Sequence, residues 1–122
     1  MSRSLAILVA GPYRSGTGDD PALIQANVDA MTRTSLELFR IGHLPVMGEW
    51  FALPLIEAAG SERAGDAAFE EIFHPVAERL LEHCDGCLRI GGPSDGADRM
   101  VAAARSLGKA VYHDIGEIPP AA

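Results

Sequence analysis

The sequence has no apolar run near the roughly 18–20 residues that a membrane-spanning helix needs, and no block of basic residues. Its 10 lysines and arginines stand against 17 acidic residues, which gives a formal net charge of −7. A nucleic-acid surface needs clustered basic residues to neutralise phosphates, so this composition argues against nucleic-acid binding. Residues 1–4 run directly into a strand pattern without the apolar segment of a signal peptide, so we expect a cytoplasmic protein that does not bind membranes.

Cysteine is scarce as well, because Cys84 and Cys87 are the two in the chain and form a single C-x-x-C. A structural zinc site needs two further ligands at suitable spacing, and His83 is the one candidate nearby. Redox-active pairs lie at helix N-termini, where the thiol pKa is lowered, whereas this pair falls between a helix and a strand. We interpret both as small buried side chains, with a thiol or zinc protein as the alternative. We predict no metal and no cofactor.

Strand-like and helix-like patterns alternate along the 122 residues without repeats or linkers, which indicates one domain over residues 1–122. Short apolar runs typical of buried parallel strands predict strands at residues 5–9, 43–47, 87–90 and 110–112. Pro45 places the second of them at a sheet edge. The order predicts an α/β fold, a three-layer Rossmann- or flavodoxin-like domain with a small parallel sheet of four to five strands.

Helical spacing fills the stretches between these strands. The first helix begins at Asp19-Asp20-Pro21 and ends near Gly42, because an acidic N-cap, an early proline and a terminal glycine mark helix boundaries. We expect a short helix and a loop over residues 48–65. The next helix reaches Cys84, and Pro75 either kinks it or starts a new helix. A last helix is expected over residues 97–107, with Leu107 on its inward face. The tail, residues 118–122, is expected to fray.

A glycine-containing turn, residues 10–18, follows the first strand and holds Gly11, Tyr13 and Arg14. In sheets of this kind, ligands bind outside the carboxyl ends of the strands. A tyrosine ring can stack on a base, and a guanidinium group can hold a phosphate or carboxylate through two hydrogen bonds. We therefore predict substrate binding at these three residues; the alternative is a tight turn with a solvated arginine.

A second turn, residues 91–98, follows the third strand and opens a helix. It includes Gly92, Ser94, Gly96 and Ala97, and backbone amides at a helix start can hold a phosphate. The order is neither G-x-G-x-x-G nor a Walker loop, so it indicates neither a dinucleotide nor a nucleoside triphosphate. We predict that these four residues bind a small molecule; the alternative is a plain strand-to-helix connection.

These segments together resemble the nucleoside 2-deoxyribosyltransferase-like superfamily, which includes nucleotide N-glycosidases. The resemblance covers nearly the whole chain and is carried by three motifs: Ala10-Gly11-Pro12-Tyr13-Arg14 after a strand, Cys84-Asp85 before a strand, and Ser94-x-Gly96-Ala97 before a helix that ends Ala104-x-x-x-Gly108-Lys109. It implies a nucleoside or nucleotide ligand, cleavage or deoxyribosyl transfer at the N-glycosidic bond, and a homo-oligomer.

Two carboxylates that the resemblance implies are missing from this sequence. A glutamate is expected eight residues before Gly108, where the chain has Met100, and an aspartate eight residues before Asp85, where it has Ala77. Neither a thioether nor a methyl group can attack an anomeric carbon, so we assign Met100 to substrate binding. The chain therefore cleaves the bond with other groups, runs a different reaction, or is a non-catalytic nucleotide- or metabolite-binding module.

Three other groups can supply the chemistry. Glu49 follows the second strand, Asp98 precedes Met100 by half a turn, and His74, whose ordinary pKa is near 6.5, precedes Ala77 by one turn. Glycosidic cleavage generally uses two carboxyl groups near the scissile bond, so Glu49 and Asp98 are the predicted catalytic pair, with His74 as a further acid or base. The alternatives are that Asp98 only interacts with the helix dipole, that Glu49 caps the following helix or lies in solvent, and that His74 is only a residue at a helix start.

Three more residues are informative. Arg89 places a charge inside a central strand, so we expect it to reach a partner acid or a ligand anion. Trp50 and Phe51 lie in the irregular middle segment, and we expect them in the core rather than as base-stacking platforms. The same pair supports the homo-oligomer if a second subunit covers that surface.

Overall fold

The computed structural model describes residues 3–121, so Met1, Ser2 and Ala122 lie outside the described residues. It contains one sheet whose strands are β1 (Ala6–Ala10), β2 (Leu44–Val46), β3 (Gly86–Arg89) and β4 (Ala110–Tyr112). The strand order is β2-β1-β3-β4 and every pair is parallel. The predicted α/β fold with a small parallel sheet is confirmed, as is the edge position of the strand that contains Pro45.

Four helices connect and cover the strands: α1 (Pro21–Arg40), α2 (Gly48–Ala58), α3 (Ala67–Glu82) and α4 (Asp95–Ser106). On one face of the sheet, Ile7 and Val9 pack against Met31 and Leu38 of α1. On the other face, Leu8 packs in a cluster with residues of α3 and α4. Side chains alternate across a strand, so β1 is buried on both faces, and this explains its continuous apolar sequence.

At α1, α3 and α4, a side chain from the residue before the helix caps its first turn and fixes where the helix begins. The Asp20 carboxylate accepts a hydrogen bond from the Ala22 amide at 2.9 Å, and Pro21 occupies the first helical position, as predicted. Helix α4 begins at Asp95, two residues earlier than predicted, because the Ser94 hydroxyl caps it by accepting from the Ala97 amide at 3.1 Å. It ends at Ser106, so the prediction that Leu107 faces inward was wrong; that side chain is exposed.

One alternative for the middle of the chain is excluded and one expectation is corrected. Pro75 does not start a new helix, because α3 continues through it; the buried side chains of Phe69, Ala77 and Leu81 on one side of α3 offset the hydrogen bond that proline cannot donate. Trp50 and Phe51 are not in the core; they are 46% and 48% exposed, because α2 turns Ala52 and Ile56 inward instead.

The carboxyl-terminal tail is packed rather than frayed over its described residues, which corrects a third expectation. Ile118 is 2% exposed and joins the core cluster on the α1 face of the sheet. The Ala121 amide donates to the Ile41 carbonyl at 2.8 Å. His43 is buried between the start of β1 and the tail: its Nδ1 accepts from the Leu5 amide at 3.0 Å, so its Nε2 donates to the Pro119 carbonyl at 2.7 Å.

Replacing His43 with leucine should lower the free energy of unfolding by about 2–3 kcal/mol, because the Leu5 amide and the Pro119 carbonyl would both lose their partner. Urea unfolding monitored by circular dichroism measures this difference. His113→Leu is the matched control, since His113 is exposed. Equal unfolding midpoints for the two variants would contradict the role given to His43.

The sheet order also contains a topological switch point. The chain leaves β1 for β2 on one side and leaves β3 for β4 on the other, although β1 and β3 are neighbours. Ligands in open parallel sheets bind at such a switch point, outside the carboxyl ends of the two strands. In this protein that position lies between Ala10 and Arg89, which are paired in register.

Candidate functional site

An open cavity of about 140 Å³ lies at this switch point. The turn after β1, the start of α2, one side of α3 and the start of α4 all contribute to its walls. Most of the predicted site residues line it, namely Gly11, Tyr13, Arg14, Glu49, His74, Ser94, Gly96, Ala97 and Met100. The structure thus brings together residues from four separate parts of the sequence.

Glu49 is the most unusual group in this cavity. It is the second residue of α2 and only 9% exposed, and within residues 3–121 its Oε2 atom has no hydrogen-bond partner. Burial raises the pKa of this carboxyl group to about 7. A carboxyl group with that pKa exists as both acid and base at neutral pH, which suits it to proton transfer or to stabilising a positive charge.

A close contact between α2 and α3 positions Glu49 at the cavity. A Cβ atom placed on Gly48 would lie 3.1 Å from the Ala77 Cβ, so the start of α2 rests almost directly on α3. The two small residues allow this approach, and the next side chain along α2 then points into the cavity. Ala77 therefore occupies a packing position here, and the carboxyl group comes from the adjacent helix.

His74 is placed by a second close contact. A Cβ atom on Gly96 would lie 2.8 Å from the His74 Cε1 atom, so the imidazole ring covers the first turn of α4. Burial lowers the pKa of His74, and the positive charge of Arg99 lowers it further. The neutral ring can donate a hydrogen bond through one nitrogen and accept a proton through the other, and its imidazolium form can give that proton back.

An aromatic wall that the sequence did not predict closes one side of the cavity. The Tyr13 and Phe73 ring centroids lie 4.9 Å apart, and those of Phe73 and Phe69 lie 4.7 Å apart. Phe69, Glu70 and Phe73 all line the cavity and were missed. Their helical spacing marks them as one face of α3, but spacing alone does not tell a core face from a site-lining face.

Arg14 lies at the mouth of the cavity and is held by its neighbours. Its guanidinium donates to both Asp19 carboxylate oxygens, at 2.8 and 3.1 Å, and lies 3.5 Å from a Glu70 oxygen. It also covers the Phe69 ring at 5.5 Å from the centroid. Asp19 has a φ of 60°, a conformation uncommon for residues other than glycine. These contacts fix the turn after β1 against α3.

Arg89, Gly92 and Asp98 are not among the described residues that line the cavity. Arg89 donates to the Asp98 carboxylate at 3.1 Å, to the Gly92 carbonyl at 2.8 Å, and to the Ile90 carbonyl. The prediction that Arg89 reaches a partner acid is confirmed. The Asp98 side chain is 69% exposed, and Asp98 does not line the cavity that Glu49, its predicted catalytic partner, lines.

The cysteines are structural. Cys84 and Cys87 are both buried and are not joined by a disulfide. Burial raises the pKa of Cys84 and raises that of Cys87 to about 12, so both thiols stay protonated at neutral pH. Their interpretation as small buried side chains is confirmed. Among residues 3–121 there is also no group of three or more His, Cys, Asp or Glu side chains arranged to hold a metal ion.

No protein-family model matches the chain, and no curated protein matches its sequence. In the part of the chain that the structure describes, none of the helices combines the length and apolar character needed to cross a membrane. The geometry of the site is therefore what indicates the function.

Proposed function

We propose that this protein acts on the N-glycosidic bond of a nucleoside or nucleotide, by hydrolysis or by deoxyribosyl transfer, with the sugar held in the 140 Å³ cavity. The observation that carries the proposal is Glu49, a residue that lines the cavity and whose buried carboxyl group has one oxygen without a partner among the described residues. Breaking an N-glycosidic bond creates an oxocarbenium-like centre, which a carboxylate in a water-poor site stabilises strongly.

In the proposed reaction, the bond between the anomeric carbon and the base nitrogen breaks, and the bonding electrons leave with the base. The Glu49 carboxylate stabilises the positive charge on the sugar or bonds to the anomeric carbon. The departing base takes up a proton from the imidazolium form of His74, which lines the same cavity. The resulting neutral imidazole then accepts the proton that the water or the second base gives up in the next step. Water then adds to the anomeric carbon in hydrolysis, or a second base adds in transfer, and Glu49 is released.

Other parts of the cavity suit a sugar or a sugar phosphate. Ser94, Gly96 and Ala97 line the cavity at the start of α4, and the start of a helix favours a phosphate or another anion. A volume of about 140 Å³ is below the roughly 300–1,000 Å³ of pockets for drug-sized ligands, so it holds one part of a nucleoside rather than the whole.

The alternative function is a nucleotide- or metabolite-binding module without catalysis. The observation that favours it is Met100, whose thioether lines the cavity where the family resemblance implies a glutamate. The homo-oligomer stays a prediction, supported by the exposed apolar side chains of Trp50, Phe51 and Leu55 on α2.

A panel of ribo- and deoxyribonucleosides and their 5′-monophosphates, incubated with the purified protein, tests the proposal. We expect chromatography to show a free base released from at least one of them, or exchanged when a second base is added. If the folded protein releases and exchanges no base across the panel, the glycosidic function is wrong. Thermal stabilisation by one of these compounds without release would instead support the binding module.

Substitutions of Asp98 and of Arg89, which form an ion pair, should change the rate of base release to different extents. Asp98→Asn is expected to change the rate by less than about fivefold. The Asp98 side chain is 69% exposed, asparagine keeps an oxygen that can accept from Arg89, and an ion pair that is open to water on one side is worth about 0–1 kcal/mol. Arg89→Met should reduce it by about 10²-fold, because the β3–α4 turn that positions Ser94 loses its bonds to the Ile90 and Gly92 carbonyls. Initial rates measure both, and a large loss in Asp98→Asn would restore Asp98 to the catalytic pair.

A further inference from the structure

A second cavity, of about 210 Å³, lies directly beside the first. Tyr13 and Phe69 line both cavities, so the two spaces share part of their walls. The other walls of the second cavity come from α2, through Leu53, Ile56 and Glu57, and from the loop at residues 61–64. Tyr13 is the one site residue predicted from the sequence that lines this second cavity among the described residues.

Helix α2 connects the two cavities along one face. Glu49, Leu53 and Ile56 follow the i, i+4, i+7 spacing that places side chains on the same side of a helix. At 1.5 Å of rise per residue, Leu53 lies about 6 Å and Ile56 about 10.5 Å further along the axis than Glu49. The second cavity therefore begins one helical turn from the carboxyl group that the proposed function places at the anomeric carbon.

The sizes of the two cavities are complementary. Neither cavity alone has the volume of roughly 300 Å³ at which ligand pockets begin, but their combined volume exceeds it. A nucleoside has a matching two-part shape, with a sugar joined to a flat aromatic base. We propose that the second cavity is the base-binding subsite of this protein, with Tyr13 and Phe69 bordering the base and Glu49 at its junction with the sugar; this inference rests on the proposed function.

The chemistry of the second cavity fits an aromatic base that carries an amino group. Tyr13, Phe69, Leu53 and Ile56 present aromatic and aliphatic surface to a flat ring. The carboxylates of Glu57 and Glu62 lie at its exposed rim, where they can accept hydrogen bonds from an exocyclic amino group. Arg63 also lines the cavity and can donate to an acceptor atom of a base. Adenine and cytosine offer an amino group to the two carboxylates and an acceptor to Arg63, whereas thymine has no amino group and offers the carboxylates only ring N–H groups.

The walls of the subsite are formed before any ligand binds. The Asp66 carboxylate accepts hydrogen bonds from the Ser61 hydroxyl at 2.8 Å, from the Glu62 amide at 2.8 Å and from the Phe69 amide at 3.0 Å. These bonds hold the pKa of Asp66 well below its usual value. On the other side, the Asn27 side-chain amide donates to the Tyr13 carbonyl at 2.9 Å and fixes its backbone. Such preorganisation lowers the entropic cost of binding.

Titration of the full chain with free adenine, cytosine and thymine, followed by amide chemical shifts in ¹⁵N NMR spectra, tests the subsite. We expect adenine and cytosine to shift the amides of Leu53, Ile56 and Ala64. Leu53→Trp fills the cavity and should weaken adenine binding at least about tenfold by removing the space for the ring. Leu55→Trp is the matched control, because Leu55 lies on the same helix but is 52% exposed and lines neither cavity, so its affinity should not change.

Ala64→Leu narrows the same cavity from the loop side and replaces Leu53→Trp if that variant does not fold. The proposal is overturned if the wild type binds no base, if bases shift only amides near Glu49 and Met100, or if both cavity-filling variants bind adenine as tightly as the wild type.

Base release is measured separately, so that the subsite and the glycosidic reaction are tested independently. Loss of adenine binding in Leu53→Trp without any release by the wild type leaves the subsite standing and the glycosidic reaction wrong. If Leu53→Trp and Ala64→Leu both release the base at the wild-type rate, the glycosidic reaction is supported and the base-binding subsite is overturned.

Discussion

Replacing Glu49 with glutamine should reduce base release by about 10³-fold or more while leaving ligand binding in place. Glutamine has nearly the same shape as glutamate, so the contact of Gly48 with Ala77 and the walls of the cavity are preserved. It carries no charge, so it can neither stabilise a positive anomeric carbon nor bond to it. Steady-state rates by chromatography give kcat and KM, and the loss should lie in kcat.

The pH dependence provides a second test of the same residue. In the proposed reaction the ionised form of Glu49 is the active one. Because burial raises its pKa to about 7, kcat/KM should rise as the pH increases through about 7. Glu70→Gln is the control, because Glu70 is the other carboxylate that lines the cavity but is exposed and lies beside Arg14. If Glu49→Gln keeps a tenth or more of the wild-type kcat, the reaction depends on another group.

The same substitution should stabilise the fold at alkaline pH. The carboxyl group has an ordinary pKa of 4.5 in the unfolded chain and about 7 in the folded protein, so between these values the folded state holds a proton that the unfolded state lacks. Stability therefore falls as the pH rises across this window, by up to about 3 kcal/mol at 1.36 kcal/mol per pKa unit. Glutamine never ionises, so Glu49→Gln should exceed the wild type by roughly 2–3 kcal/mol at pH 8 and match it near pH 4.

Urea unfolding at both pH values measures this difference. Glu37→Gln serves as the control because Glu37 is an exposed glutamate on α1, and it should change stability equally little at both values. A pH-independent effect of Glu49→Gln would mean that Glu49 is not a buried ionisable group in solution. A protein that loses turnover and gains stability through one substitution is retaining a buried charge at a cost to its fold, as expected of a functional residue.

Much of the fold follows from patterns within a few residues of each other. The uninterrupted apolar run of β1 predicted a strand buried on both faces, and Asp20 with Pro21 predicted where α1 begins. Pro45 predicted an edge strand because it has no amide hydrogen to donate to a second neighbour. Each of these signals depends on backbone chemistry local to the residue, so tertiary contacts did not change it.

The expectations that failed depended on distant partners. His43 and Pro119 are 76 residues apart, and no local pattern in a tail of proline and alanine indicates that they bond. Trp50 and Phe51 are apolar, but whether they face the core depends on how α2 packs against α3. A hydrophobic side chain by itself predicts burial only as a tendency, because much of a folded surface is apolar.

For the site, the sequence by itself determined the two glycine-containing turns, since parallel strands that end together bring the residues after them to one edge of the sheet. Tyr13, Arg14, Ser94 and Gly96 were predicted on that basis and line one cavity. Only the tertiary structure decided which carboxylate joins them. Arg89 binds Asp98 outside the cavity, while the contact of Gly48 with Ala77 turns Glu49 into it. That choice depends on the distance between helices, which helical spacing along the chain does not specify.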